Sequence, residues 1–240
     1  MKLIIAGSTG FVGTELVRQA LAHPEITSVM ALGRRETQMP SDATRDKLKS
    51  VVCNDFEKYP ESVKNALAGA DACIWTIAIT PLQSKSMPWE QTCKISRDYA
   101  VTGIKTLAQL PRSSSAKPLR FIYMSGASSV RDAAQKPIVL GDYCLMRGEA
   151  EALILDQARQ SKGTVEASIA KPGLIDAPGR TSMLMRLVQT VGCTVIGLPK
   201  IDVGELSAAL LSQAVNGIDQ ETLSNQDLAT MGKKAVEAQE

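Results

Sequence analysis

Three glycines near the start of the chain have the type and spacing of an anion-binding turn. Gly7, Gly10 and Gly13 follow the apolar run 3–6 and precede the amphipathic stretch 14–21. Glycines let the main chain approach an anion, and a helix N-terminus offers unpaired N–H groups at the positive end of its dipole. Such glycines also occur in ordinary tight turns, but the order strand, turn, helix predicts the pyrophosphate site of a dinucleotide-binding fold. The predicted contacts are Gly7, Ser8, Thr9, Gly10, Phe11, Val12 and Gly13.

The second predicted strand, residues 28–33, ends in two arginines, Arg34 and Arg35. In dinucleotide-binding folds, an acidic residue at the end of the second strand binds the ribose 2′-hydroxyl of NAD, whereas an arginine at the same position suits the 2′-phosphate of NADP. Glu36 comes only after both arginines. A guanidinium also pairs bidentately with phosphate and stacks on adenine. The arginines therefore predict NADP(H) as the cofactor, and the alternative is that they cap a solvated strand end.

A tyrosine and a cation lie four residues apart on a helix predicted over residues 142–160. Tyr143 and Arg147 share one face of that helix because residues at this spacing are neighbours. This arrangement is the one needed to deliver a phenol proton beside a nicotinamide. The alternative is that Tyr143 is a helix residue that faces the surface.

In their order along the chain, these motifs resemble the short-chain dehydrogenase/reductase superfamily, and specifically its atypical NmrA-like branch. The likeness covers residues 1 to about 215 and is carried by Gly7–Gly13, Arg34–Arg35, Tyr143–Glu149 and Lys171–Gly173. The resemblance implies a Ser–Tyr–Lys set. In that set the tyrosine is the acid/base, the lysine lowers the pKa of the tyrosine and holds the ribose, and the serine polarises the substrate carbonyl.

The chain departs from this set at the lysine position, which Arg147 occupies. A guanidinium is permanently charged and cannot relay a proton. Its charge still lowers the pKa of a nearby phenol, and its N–H groups can bind a ribose. The serine position falls on Ser125, while a shift of one residue places Gly126 there. The predicted catalytic residues are Tyr143, Arg147 and Ser125.

Further cofactor contacts are predicted at the carboxyl ends of strands, where ligands bind in sheets of this kind. Asp55 and Phe56 are expected to flank the adenine, with ordinary turn residues as the alternative. Thr76, Ile77 and Ala78 are expected to line the path from the adenosine to the nicotinamide. The resemblance adds Lys171, Pro172 and Gly173.

Strands and helices alternate along the chain, which is typical of parallel β-α-β units. After the first strand and helix, strands are predicted at 28–33, 51–53, 72–77, 119–124 and 165–170, and helices at 60–68, 89–110 and 142–160. The predicted fold class is α/β, a Rossmann-like doubly wound parallel sheet with a small C-terminal substrate-binding region. Residues 1–240 are expected to form one domain, in which about 174–240 contribute the substrate lobe.

Three loops are expected to shape a substrate pocket because they emerge at the ligand-binding edge of the sheet. They are residues 79–88, 126–142 and 174–200, and further helices are predicted at 181–191 and 203–215. Met183 and Met185 either contact an apolar ligand or serve only in packing.

Composition narrows the class of protein. Of 240 residues, 44% are apolar and 22% charged, which is ordinary for a globular domain. The net charge of +2, without a basic run interleaved with aromatics, predicts no nucleic-acid partner. Five cysteines without C-x-x-C spacing indicate reduced thiols, and with a single histidine no metal site is expected. No apolar stretch is long enough to span a membrane. Because the first strand begins at Lys2, no signal peptide is expected, and the predicted location is the cytoplasm.

Three functions are compatible with these residues. The first is an NADP(H)-dependent oxidoreductase, a monomer or homodimer, that acts on a small apolar carbonyl or imine-like substrate with Tyr143 as the proton donor. The second is an NADP(H)-dependent cyclase or isomerase, in which reduction is coupled to cyclisation of an apolar intermediate. The third is a non-enzymatic NADP(H) sensor or regulator. Substrate-dependent loss of NADPH absorbance distinguishes the first two from the third.

Overall fold

The computed structural model describes residues 1–38, 46–113, 117–176 and 198–238. Several predictions fall outside these ranges. They concern the helix at 181–191, Met183, Met185, Cys193 and most of the loop 174–200.

A parallel sheet of seven strands occupies the centre of the fold. Its strands are β1 (Lys2–Ala6), β2 (Ser28–Gly33), β3 (Leu48–Val52), β4 (Ala72–Trp75), β5 (Leu119–Met124), β6 (Val165–Ala170) and β9 (Thr222–Leu223). They lie in the order β3-β2-β1-β4-β5-β6-β9, and every neighbouring pair is parallel. The strand order reverses between β1 and β4, which is where doubly wound sheets bind their ligands. The predicted α/β, Rossmann-like fold class is confirmed. A second, two-stranded parallel sheet pairs β7 (Leu174–Asp176) with β8 (Lys200–Asp202).

Helices cover both faces of the sheet. They are α1 (Phe11–Ala22), α2 (Glu61–Leu67), α3 (Pro81–Ser84), α4 (Trp89–Cys93), α5 (Tyr99–Gln109), α6 (Gly141–Gln160), α7 (Val203–Asn216) and α8 (Asn225–Glu237). Residues of α1, α7 and α8 pack on one face, and residues of α2, α5 and α6 pack on the other.

Side chains along β1 alternate between the two faces of the sheet, so this one strand contributes to the hydrophobic cluster on each face. Leu3 and Ile5 belong to the cluster under α1 and α7, whereas Ile4 and Ala6 belong to the cluster under α5 and α6. All four side chains are completely buried. Strands buried on both faces are expected when helices flank a parallel sheet.

The helix predicted over 89–110 is interrupted. Between α4 and α5 the chain forms a π-helical turn, Lys94–Asp98, in which main-chain hydrogen bonds span one residue more than in an α-helix. Within this turn, the carbonyl of Ser96 accepts hydrogen bonds from the Tyr123 hydroxyl and from Arg147. A hydrophobic pattern that continues through the turn does not show such an interruption, so the sequence did not indicate it.

The C-terminal region contributes more to the core than expected. Helix α7 matches the helix predicted at 203–215, but β9 and α8 were not predicted. Strand β9 extends the sheet beside β6, and Leu223 and Leu228 are completely buried. Part of the predicted substrate lobe therefore belongs to the central structure.

Candidate functional site

The glycine turn between β1 and α1 is packed too closely for side chains. Gly7 has φ +91°, and a Cβ atom there would lie 2.5 Å from Thr76 Oγ1. A Cβ atom on Gly13 would lie 2.1 Å from the carbonyl oxygen of Gly7. The Gly10 N–H donates a 2.9 Å hydrogen bond to that same carbonyl. Both ends of the turn therefore require glycine, as predicted for a main chain that cradles a phosphate.

The N-terminus of α1 presents its main chain at this turn. Gly10 is the N-cap, no side chain caps the helix, and the first turn carries no acidic residue. Thr9, Gly10 and Phe11 are exposed, whereas Val12 is buried in the core. An uncapped helix start with positive dipole character fits a phosphate group.

Ser8 differs from its neighbours because its side chain points inward. The residue is completely buried, and its hydroxyl lies 2.7 Å from that of Thr37. Its side chain therefore ties the glycine turn to the segment after β2, and only its main chain remains for a ligand.

Arg34 and Arg35 lie at the end of β2, beside the glycine turn. The Gly7 N–H donates to the carbonyl of Leu32, and a Cβ atom on Gly33 would lie 3.5 Å from Ser8 Oγ. Both arginines are exposed. Within the described ranges, neither guanidinium makes a hydrogen bond or ion pair. Two exposed cations, without a partner among the described residues, therefore stand next to the predicted pyrophosphate position.

The two residues predicted to flank an adenine differ in exposure. Asp55 is exposed, and its carboxylate accepts a hydrogen bond from the Glu57 N–H. The ring of Phe56 is 1% exposed and packs between Tyr59, Trp75 and Tyr99 at centroid distances of 5.5–5.9 Å. Because this aromatic cluster fills the core, the Phe56 side chain is not available for stacking on a base.

Residues Thr76, Ile77 and Ala78 follow β4, and all three are half-buried. The main-chain N–H and the hydroxyl of Thr76 both donate to the carbonyl of Ala6 at 2.9 Å. The carbonyl of Ile77 accepts a hydrogen bond from Trp75 Nε1. This segment therefore crosses the end of β1 next to Gly7, at the position expected for the middle of a dinucleotide site.

The Tyr143 hydroxyl donates a 2.7 Å hydrogen bond to the main-chain carbonyl of Ile79. Burial raises the pKa of this phenol, and the charge of Arg147 opposes the shift without reversing it. The predicted lowering by the charge of Arg147 is present, but desolvation of the phenolate outweighs it, so the net shift of this pKa is upward.

Arg147 is a buried cation that binds main-chain carbonyls. It is 3% exposed, and it donates to the carbonyls of Ser96 at 2.9 Å and Met124 at 2.6 Å. Its guanidinium carbon lies 4.8 Å from the centre of the Tyr123 ring. The residue links the π-helical turn, β5 and α6, and these contacts engage both terminal nitrogens of the guanidinium that was predicted to bind a ribose.

Ser125 lies at the end of β5 and binds a carboxylate. Its hydroxyl donates to Glu151 Oε1 at 2.5 Å and lies 3.1 Å from the hydroxyl of Ser129. Glu151 is completely buried, and Arg131 Nε donates to its Oε2 at 2.9 Å. Lys171 Nζ lies 3.5 Å from Oε1 of the same carboxylate. We call Ser125, Ser129, Arg131, Glu151 and Lys171 the Glu151 cluster.

A glycine on α6 lets this cluster form. A Cβ atom on Gly148 would lie 1.8 Å from the carbonyl oxygen of Val130, so the segment before Arg131 rests directly on the helix. Arg131 can then reach Glu151 one turn further along α6. The spacing of Tyr143 and Arg147 continues to Glu151, which is four residues after Arg147 and on the same face of α6, and this continuation is the signal in the sequence that points to Glu151.

Lys171, Pro172 and Gly173 follow β6 at the same edge of the sheet. The Lys171 ammonium donates to the carbonyl of Ser129 at 2.6 Å. The carbonyl of Pro172 accepts a hydrogen bond from Ala127, and the Gly173 N–H donates to Asn225 Oδ1. Through these hydrogen bonds, the three residues connect the loop after β5 to the start of α8.

Other features bear on the class of site. No group of three or more His, Cys, Asp or Glu side chains in the described ranges is arranged to hold a metal ion. The described cysteines Cys53, Cys73, Cys93 and Cys144 are free thiols. Among the described helices, none combines the length and apolarity needed to cross a lipid bilayer.

Comparison with known proteins identifies the family. The model of the NAD(P)H-binding family matches residues 7–214, and the chain belongs to this family, in the atypical, NmrA-like part of the short-chain dehydrogenase/reductase superfamily. The resemblance seen in the sequence is confirmed. The fold is the one expected of an NAD(P)H-binding protein of this superfamily.

Individual proteins and solved structures are also similar to this chain. The chain is 25% identical to "Protein fmp52, mitochondrial" of Emericella nidulans over 71% of its own length and 65% of that protein. It is 25% identical to "Protein FMP52, mitochondrial" of Candida albicans over 92% of its length and 91% of that protein. The crystal structure of vestitone reductase from alfalfa has a TM-score of 0.66 at 17% identity, covering 93% of this chain and 76% of that one. The last likeness concerns the fold alone.

Proposed function

We propose that the protein is an NADP(H)-dependent oxidoreductase that reduces a small apolar carbonyl or imine-like substrate, with Tyr143 as the proton donor. The preference for the 2′-phosphorylated cofactor rests on one observation. Arg34 and Arg35 are exposed, have no partner within the described residues and stand beside the glycine turn. A free guanidinium at the end of the second strand suits a 2′-phosphate.

The glycine turn and the start of α1 would hold the pyrophosphate, and the segment Thr76–Ala78 would lie along the cofactor. Reduced nicotinamide, when bound, supplies a hydride. Tyr143 supplies the proton: its raised pKa keeps the phenol protonated near neutral pH, which is the form that donates. A substrate oxygen would replace the carbonyl of Ile79 as the acceptor of that hydrogen bond.

Exposed apolar side chains support an apolar substrate. Leu82 and Trp89 lie in the connection after β4, and Ile138 and Val139 lie in the connection after β5. Each is at least 46% exposed. Both connections leave the carboxyl edge of the sheet, and the Tyr143–Ile79 hydrogen bond joins them.

The decisive experiment measures oxidation of NADPH with a panel of small apolar ketones, aldehydes and cyclic imines. Substrate-dependent loss of absorbance at a rate well above that of a Tyr143→Phe variant supports the proposal. The mass of the product then separates simple reduction from reduction coupled to ring formation. Binding of NADPH without turnover of any substrate in the panel contradicts an oxidoreductase of this specificity.

A second candidate function is an NADP(H) sensor without catalysis. The observation that favours it is the engagement of the two central side chains: Tyr143 donates to Ile79, and Arg147 donates to Ser96 and Met124. In this case NADPH would bind and change the stability of the chain without being consumed.

The location in the cytoplasm stays a prediction, and localisation of the tagged full chain in cells tests it against the mitochondrial names of the two fungal relatives.

A further inference from the structure

Glu151 has no role in the set of residues predicted from the sequence, yet it is a completely buried carboxylate. One hydroxyl, from Ser125, and two cations, Arg131 and Lys171, contact its two oxygen atoms. Burial of a charge carries a desolvation penalty that ion pairing offsets only in part. A buried ion pair is therefore weak evidence for a role in stability, and the charge of Glu151 also acts on the groups around it.

The position of Glu151 follows from the order of the strands. The glycine turn follows β1, and Arg34 follows β2, so the adenosine half of a dinucleotide would lie over β2. Dinucleotides cross the point where the strand order reverses, which leaves the nicotinamide half over β4 and β5. Ser125 follows β5 directly and binds Glu151. The Glu151 cluster therefore lies at the nicotinamide end of the site.

Among the residues that the structure describes, cations outnumber anions at the end of β5. Arg131 and Lys171 contact Glu151, and Arg147 donates to the carbonyl of Met124, the residue before Ser125. A second carboxylate in the described part of the chain, that of Glu221, is exposed, lies 3.8 Å from Arg131 and also pairs with Arg159. Glu151 is thus the buried negative charge among three cations.

We propose that Glu151 acts through its negative charge: this charge sets the preference of the site between oxidised and reduced nicotinamide. The oxidised ring is a cation and the reduced ring is neutral, so only the oxidised ring is repelled by the surrounding cations. The Glu151 carboxylate partly cancels this repulsion and so raises the affinity for the oxidised cofactor relative to the reduced cofactor. This inference rests on the proposed function, because it requires a nicotinamide cofactor at this edge of the sheet.

The test compares three ligands by calorimetry on the full chain: NADP⁺, NADPH and ADP-ribose 2′-phosphate, which lacks the nicotinamide. Glu151→Gln keeps the shape and removes the charge. The expected result is a dissociation constant for NADP⁺ that rises about tenfold relative to that for NADPH, as for one charge acting over roughly 10 Å at an effective dielectric constant near 20. For a two-electron couple, a tenfold change in this ratio corresponds to about 30 mV in the potential of the bound cofactor.

Two further variants test the direction in which the ratio of the NADP⁺ and NADPH dissociation constants changes. Arg131→Gln removes a cation from the cluster and should shift the ratio the other way, favouring NADP⁺. Glu149→Gln is the matched control, because Glu149 lies on the same helix but is 56% exposed and pairs with Arg97. This control should leave the ratio unchanged, and ADP-ribose 2′-phosphate should bind all three variants as it binds the unmodified chain.

Equal shifts for NADP⁺ and NADPH in Glu151→Gln would show a purely structural role and overturn the proposal. If that variant does not fold, Arg131→Gln decides alone, and an unchanged ratio there is equally negative. Failure of the proposed function is seen separately, as absence of NADPH binding to the unmodified chain. If the unmodified chain prefers the cofactor without the 2′-phosphate, the same comparison is made with NAD⁺, NADH and ADP-ribose.

Discussion

The Tyr143 hydroxyl and the Ile79 carbonyl are joined by a 2.7 Å hydrogen bond between the first turn of α6 and the connection after β4. The candidate proton donor is therefore already oriented, and its acceptor is a main-chain carbonyl in the connection after β4. A substrate oxygen that takes the place of this carbonyl would accept a hydrogen bond from a Tyr143 hydroxyl that is already aligned. The relationship also predicts a cost of binding, since the Ile79 carbonyl must find another partner.

Tyr143→Phe keeps the ring and removes only the hydroxyl. We expect turnover to fall by about 10²–10⁴-fold, because general acid catalysis is lost, while the affinity for NADPH changes little. Steady-state kinetics and cofactor titration measure the two effects. Tyr99→Phe is the control, since Tyr99 contributes a ring to the aromatic core near Phe56. A nearly fully active Tyr143→Phe enzyme would exclude Tyr143 as the proton donor.

Arg34→Ala tests the choice of cofactor. Loss of a charged hydrogen bond to the 2′-phosphate should weaken NADPH binding by about 10- to 100-fold and leave NADH binding almost unchanged. Calorimetry with both cofactors gives the comparison, and Lys64→Ala, a charge removed from α2, serves as the control. Equal losses for NADPH and NADH would be inconsistent with a 2′-phosphate at Arg34.

Arg147→Met replaces a buried cation by a flexible apolar side chain. The carbonyls of Ser96 and Met124 each lose a charged donor, so the free energy of unfolding should fall by about 2–4 kcal/mol. Urea denaturation of this variant and of Arg97→Met, whose ion pairs are partly exposed, provides the measurement. A loss no larger for Arg147→Met than for Arg97→Met would argue against the structural role assigned to the buried guanidinium.

Two buried tyrosines should respond oppositely to loss of the hydroxyl. The Tyr59 hydroxyl is buried and has no hydrogen-bond partner among the described residues, so Tyr59→Phe should be neutral or stabilising by up to about 1 kcal/mol. The Tyr123 hydroxyl donates to Ser96, so Tyr123→Phe should destabilise by about 1 kcal/mol. Thermal and denaturant unfolding of both variants at pH 7 tests the difference in sign.

The same tyrosines predict an alkaline pH dependence. Burial raises the pKa of Tyr59 and raises that of Tyr123 to about 12. Above the ordinary tyrosine value near 10, the unfolded chain loses these protons while the folded chain retains them, so the free energy of unfolding should decrease as pH rises. The decrease should be smaller in Tyr59→Phe. A stability that is flat between pH 9 and about 11 would contradict the buried state of these phenols.

Much of the fold follows from local sequence patterns. The glycine spacing after an apolar run predicted the strand β1 and the turn at Gly7, and the alternation of strands and helices predicted the parallel sheet. The orientation of Phe56 was not predictable in this way, because its ring is held by residues from three other parts of the chain. The local pattern shows only that an aromatic residue follows a strand.

The candidate site shows the same division. Tyr143 and Arg147 were found from their spacing on one helix, but the spacing does not specify their partners. Those partners are main-chain carbonyls of Ile79, Ser96 and Met124, which carry no signature in side-chain type. Likewise, the contacts of Glu151 come from residues 20–26 positions away, so they depend on the packing of α6 against the end of β5.

The short strand β9 has a consequence for how the protein is made. Its residue Leu223 accepts a hydrogen bond from the Lys171 N–H, and Asn225 just beyond it accepts one from Gly173. During translation, domains form from the N-terminal side as the chain emerges. Only the contacts of segment 171–173 with earlier residues can therefore form before β9 is made, and a nascent chain that ends before Thr222 lacks the hydrogen bonds to Leu223 and Asn225.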